Sequence, residues 1–166
     1  QIRTDIGWDS YQQQLDTKAR KQFKESQRKL QKLEQDHGAV RYIEHTSSAE
    51  VLQRVFEWKS QQCRETGVTD YFSYAWTTAL IRKLHAIQDR DFQGVLSCLY
   101  VGDRLAAVHF GMRTDRVWHF WFPAYDHEFA EYSPGLILLY RIIRSAAESG
   151  MRHIDLGKGV STYKER

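Results

Sequence analysis

The sequence predicts an α/β fold of the α+β kind: a mixed, mostly antiparallel sheet with helices on both faces and a long N-terminal helix. Three observations carry this. Residues 94–122 hold three apolar, aromatic-rich runs cut by short turn signals. Apolar residues recur at helical spacing before that region and again after Ser133. A strand-like stretch, "RHIDLG", follows the last helix, and a strand–helix–strand order implies a right-handed crossover and a parallel pair.

The elements follow in order. Ser10 to Gln35 reads as one helix with a thin apolar stripe: Tyr11, Leu15, Ala19, Phe23, Leu30 and Leu33. Around the stripe stand Lys18, Arg20, Lys21, Lys24, Arg28, Lys29 and Lys32, nearly unopposed by acids. Gly38 ends the helix. "AVRYIEH" alternates and reads as a short strand. Ser47 and Glu50 have capping-box spacing, and Val51, Leu52, Val55, Phe56 and Lys59 form the helix face behind them, up to Gly67. "TDYFSYAWTTALIRKLHAI" carries a third helix with Leu80, Ile81, Leu84 and Ile87 inward.

Next come "GVLSCLYV" and "RLAAVHFGM", joined by Gly102-Asp103, a two-residue hairpin signal. "RVWHFWF" follows a second tight turn. With two-residue loops, Cys98, Ala107 and Phe122 share a face with Leu96, Leu105 and Trp118. Val95, Leu99, Val108, Phe110 and Trp121 take the other. Both faces are apolar, so both need cover. His109 and His119 point to opposite faces. The helix from Ser133 opens on Ser-Pro-Gly: Ser133 suits the N-cap, Pro134 the first helical position, and Gly135 bares the first-turn backbone. Such an end leaves free N–H groups and partial positive charge, an anion site.

Composition bounds the function. A chain of 166 residues, 42% hydrophobic and 27% charged, suits one globular unit and not a disordered one. No apolar run reaches the roughly 18 residues of a membrane span, and the first residues lack a secretion-signal core. A net charge of +3 is too small to imply a polyanionic partner by itself. Cys63 and Cys98 form no Cys-x-x-Cys, which suits plain thiols in a reducing cytoplasm. The seven histidines include no pair at metal spacing, so no metal site is expected. No Gly-x-Ser-x-Gly elbow occurs. The chain opens without Met and stops at "STYKER", so a piece of a longer protein is expected.

The whole order resembles the GNAT superfamily of N-acetyltransferases. More closely, "PAYDHEFAEYSPGLILLY" and "RHIDLGKGVSTYKER" resemble the acetyltransferases named after the cellulose-biosynthesis protein CelD. The resemblance covers roughly Phe92 to Arg166. It implies a basic helical segment, 1–37, before an acyltransferase domain, 38–166. It also implies acetyl-CoA as cofactor. The diphosphate would lie on the N–H groups of Ser133, Gly135 and Leu136, and the pantetheine arm along the strand edge ending at Phe122. Phe122 and Ala124 would supply backbone donors to the developing oxyanion. Tyr163 would protonate the departing thiolate. Asp155, or one of the strand histidines His109 and His119, would act as base. Tyr125, Asp126 and Lys164 would line the acceptor cleft. One departure stands out. The superfamily's phosphate loop is Gln/Arg-x-x-Gly-x-Gly/Ala, whereas Ala130 and Ser133 hold its first two marked positions and only Gly135 matches.

The acceptor implied is a small or sugar-related amine or hydroxyl. The nearest alternative is a Fem-type transferase using aminoacyl-tRNA. The basic N-terminal helix supports a third reading, a module that binds nucleic acid or an anionic surface. The aromatic residues, however, lie in the expected core and not beside the lysines.

Overall fold

The computed structural model describes residues 1–157. At its centre β3 (Gln93–Val101), β4 (Arg104–Arg113) and β5 (Val117–Tyr125) form an antiparallel meander. β2 (Val40–Ile43) pairs antiparallel with β3. β6 (His153–Asp155) pairs parallel with β5, and β1 (Ile2–Arg3) pairs antiparallel with β6. The strand order is β1-β6-β5-β4-β3-β2. Val101 pairs with Arg104, so Gly102-Asp103 is the expected two-residue turn, and Gly102 takes the positive φ such turns need.

Helices cover both faces, as the two apolar faces require. On one side lie α1 (Trp8–Gln14), α2 (Thr17–His37) and α5 (Pro134–Glu148); their Leu30, Leu33, Ile137, Leu138 and Ile142 meet Val95, Leu99, Ala107, Trp118 and Phe120. On the other lie α3 (Ala49–Thr66) and α4 (Ala75–Ala86), with a 3-10 turn at Tyr71–Ser73; their Val51, Leu52, Val55, Phe56 and Ile81 meet Leu96, Cys98, Val108, Phe110 and Ala124. Residues 1–37 thus supply a strand to the sheet and leucines to its core.

Four sequence expectations change. The N-terminal helix is two helices, because Asp16 starts a new one: its carboxylate accepts the Ala19 amide at 2.8 Å. Ser48, not Ser47, caps α3, accepting the Val51 amide at 3.3 Å. Leu80 is 46% exposed, although Ile81 beside it is buried. The face assignment fails at two bulges, one opposite Leu99/Tyr100 and one at Phe110/Gly111. Each adds one residue to one strand and reverses the alternation beyond it. Val108, Phe110 and Phe122 therefore join Leu96, Leu105 and Cys98, while Ala107 and Trp118 join Val95 and Leu99.

Candidate active site

The bulge in β5 falls beside the place where the sheet opens. β5 and β6 pair only at Val117↔His153, Trp118↔Ile154 and His119↔Asp155. Beyond His119, β5 runs on to Tyr125 with no partner on that edge among the described residues. β6 ends at Asp155 and Gly157 takes a positive φ, which leaves a fork beside β5 that is open among the described residues. The bulge also decides which backbone groups face the gap. Before it, the Val117 carbonyl accepts from the Thr114 amide in the turn to β4; after it, the Asp126 amide donates to Ala106 of β4. Strand groups alternate sides, so the amides of Phe122 and Ala124 turn toward β4, and the groups of Pro123 and Tyr125 face the open edge. Pro123 has no N–H, so it offers that edge only an acceptor.

At the base of the fork two side chains meet. His119 Nδ1 lies 3.5 Å from Asp155 Oδ2, both half-buried. Parallel register places them side by side. The other oxygen of Asp155 accepts the Gly157 amide at 2.9 Å, which fixes the carboxylate.

At the far end of the fork stands the start of α5. Ser133 holds the N-cap position, but in left-handed backbone (φ 54°) and with no side-chain cap bond. Its hydroxyl instead accepts from Lys29 Nζ of α2 at 2.8 Å. The Ser133 amide donates to Ala130, the Leu136 amide donates to the Ser133 carbonyl at 3.0 Å, and Pro134 has none. Gly135 keeps the free first-turn amide. A Cβ there would meet only the Tyr125 ring, at 3.5 Å. Lys29 is half-buried and has no carboxylate within 4.0 Å among the described residues. An ammonium beside the positive end of a helix is unfavourable by itself, and an anion relieves both charges. The donor set of one ammonium, one hydroxyl and one amide fits a diphosphate.

The profile of the Acetyltransferase (GNAT) domain matches residues 17–165. The chain belongs to this family. No curated protein matches it. Among solved structures, a GNAT-like likeness of fold appears with the C-terminal domain (DUF2156) of a protein assigned as a lysylphosphatidylglycerol synthetase from Agrobacterium fabrum. That pair is 13% identical with a TM-score of 0.54, covering 80% of this chain and 40% of that one. A conserved protein of unknown function from Bacteroides thetaiotaomicron is 16% identical with a TM-score of 0.51, covering 81% of this chain and 44% of that one. The chain thus spans less than half of either.

Within the GNAT domain the geometry narrows the expected backbone donors. The amides of Phe122 and Ala124 turn to β4, and those of Ser133 and Leu136 are spent on the Ala130 and Ser133 carbonyls, so of these five only Gly135 keeps an amide with no acceptor among the described residues, with Tyr125 beside it. Ala124 is buried under α3. Asp126 caps the 3-10 turn His127–Tyr132, accepting the Glu128 amide at 3.0 Å. Tyr163 and Lys164 lie outside the described residues. His109 is fully buried and stacks on Phe120 with centroids 4.1 Å apart. Burial pushes its imidazole down to about 3, so it is neutral at ordinary pH. Neither ring nitrogen has a partner among the described residues.

Two features escaped the sequence reading. Lys29 looked like one of seven solvated bases on a helix, and only the packing of α2 on α5 singles it out. His119 is one of two strand histidines that the sequence offers as base, and what the sequence does not show is its partner, Asp155. Its signal was the pairing of "RVWH" with "RHID", which sets His119 against Asp155. Among the described residues no three His, Cys, Asp or Glu side chains converge as metal ligands do, and no helix is long and apolar enough to cross a membrane.

Proposed function

We propose that this GNAT domain transfers an acetyl group from acetyl-CoA to an amine of a small or sugar-related acceptor. The fork between β5 and β6 carries the proposal, because it pairs an open strand edge with an anion-suited helix start. Bound acetyl-CoA would supply the activated thioester. Lys29, the Ser133 hydroxyl and the Gly135 amide would hold its diphosphate. The β5 edge at Pro123 and Tyr125 would pair with the pantetheine amides, as an added strand does. His119 would take the proton from the acceptor nitrogen, and Asp155 would hold the imidazole in the tautomer whose Nε2 accepts. Tyr125, whose ring lies beside Gly135, would flank the diphosphate end of the cofactor, and Tyr163 would return a proton to the thiolate.

The test is CoA binding. Heat-stability measurements should show the wild type stabilised by CoA and Gly135→Glu unaffected by it, with the variant's fold intact because Gly135 has room for a side chain. A wild-type melting point that ignores saturating CoA sinks the reading. One observation favours a second donor, aminoacyl-tRNA. α2 presents Lys18, Lys21 and Lys24 to solvent, and the fold is shared with a domain assigned to lysylphosphatidylglycerol synthesis. Salt-sensitive stabilisation by tRNA in place of CoA would select it.

A further inference from the structure

The residues just ahead of α5 are tied, one after another, to the same helix. Lys32 Nζ of α2 lies 2.9 Å from Glu131, the Tyr132 phenol donates to Asp36 Oδ2 at 2.8 Å, and Lys29 Nζ donates to the Ser133 hydroxyl at 2.8 Å. These contacts differ in strength. The Lys32–Glu131 pair is exposed on both sides, so it contributes little. Tyr132 is only 4% exposed, and its ring is fixed by packing. The hydrogen bond to Asp36 holds its phenol protonated, up to about 12, so the O–H is the donor. With that proton committed, the phenol oxygen is left to accept from His37 Nε2, 3.2 Å away. The His37 ring also meets the Tyr132 and Phe129 rings nearly at right angles, with centroids 5.4 and 5.3 Å apart. The last turn of α2 therefore grips one side chain at two points.

The grip sits beside a joint. Ser133 closes the 3-10 turn His127–Tyr132 and precedes Pro134, the first residue of α5. Among the described residues it alone has a positive φ without being glycine. A Cβ makes left-handed backbone costly, and such a residue persists only where its surroundings fix it. The Ser133 side chain makes no cap bond to α5, so the restraint comes from α2. Lys29 holds Ser133 itself, and Asp36 and His37 hold its neighbour Tyr132. The joint sets where the Ser133 hydroxyl and the Gly135 amide stand relative to Lys29. Donors that converge on one anion bind it best when they are placed before it arrives.

We propose that Tyr132 is a positioning residue for the cofactor diphosphate: its bond to Asp36 holds the joint at Ser133 and so keeps the Ser133 hydroxyl and the Gly135 amide in register with Lys29. This rests on the acyltransferase reading above and names what shapes the same site. The experiment is a double-mutant cycle read by calorimetric titration with CoA, using the wild type, Tyr132→Phe, Lys29→Met and the double variant. Tyr132→Phe keeps the ring and loses only the hydrogen bonds of the phenol, and CoA should bind about tenfold more weakly. Because both residues act on one site, the double variant should lose clearly less than the product of the two single losses. Asp36→Asn keeps an acceptor for the phenol and should stay near wild-type affinity, whereas Asp36→Ala should match Tyr132→Phe. A bond that only holds the fold together would lower the melting point of Tyr132→Phe and leave CoA affinity alone, and that result overturns the role. Losses that simply multiply overturn it too. A wild type that ignores saturating CoA instead sinks the acyltransferase reading, and this role with it.

Discussion

His119 carries the sharpest prediction at the level of single side chains. A general base contributes about 10²–10⁴-fold to turnover. His119→Gln should lose that much in kcat while CoA stabilisation persists; unaltered turnover removes the base role. Asp155→Asn should lower kcat less, because the asparagine still faces the ring but no longer favours the imidazolium. Lys29→Met removes a charge-assisted contact worth about 1.5–3 kcal/mol, so CoA should bind about 10–100-fold more weakly at unaltered kcat. Retained affinity would show that the diphosphate lies elsewhere. His109 predicts a pH effect on stability. The unfolded imidazole protonates near its ordinary 6.5, the folded one only near 3, because burial disfavours the charge. Stability is therefore full above 6.5 and falls as the pH drops toward 3, by up to about 1.4 kcal/mol per pH unit. Denaturant midpoints of His109→Leu should fall less steeply over that window, and an identical slope would refute this origin.

Among the elements, the strands were easiest to read and their faces hardest. Gly102-Asp103 and the aromatic runs gave the meander, and Gly38 and Gly67 gave two helix ends. The faces were lost because a bulge is one residue long and leaves no compositional trace. Trp121 reads as one more strand aromatic until pairing shows it opposite nothing. The break at Asp16 was legible in hindsight, since Asp then Thr is a good helix start inside a weak stripe. Asp16→Ala should destabilise by about 0.5–2 kcal/mol, measured as a urea midpoint. Ser133 was read correctly as a boundary and wrongly as a side-chain cap: its backbone is left-handed and its hydroxyl turns to Lys29. Gly111 has the tightest packing on β4. A Cβ would stand 2.2 Å from the His119 carbonyl and 2.8 Å from the His109 ring. Gly111→Ala should cost about 1–3 kcal/mol or more and push directly on the His119 backbone, so turnover should fall with stability.

For the molecule as a whole, the site belongs to no single element. α2 brings the ammonium, α5 the amide, β5 the edge and half of the dyad, and β6 the other half. Spatial neighbours from such distant stretches are invisible to local motifs, which is why Gly135 was legible and its partner Lys29 was not. On the proposed reading, saturating CoA would link all of these parts. At a hundred times its Kd a ligand adds about 2.7 kcal/mol to the native state, a rise of about 5–10 °C in Tm for a domain of this size. The rise should vanish in the double variant Lys29→Met/Gly135→Glu.

The extra residue in β5 has one more consequence. Were Trp121 deleted, Phe120 and Phe122 would become neighbours opposite Gly111 and Phe110, and the ladder would run on in regular alternation. Phe122 and Ala124 would keep their places under α3. What would go is the local bend and added twist that a bulge puts into its strand, just where β6 leaves β5, so the mouth of the gap and not the packing above it depends on chain length at this point.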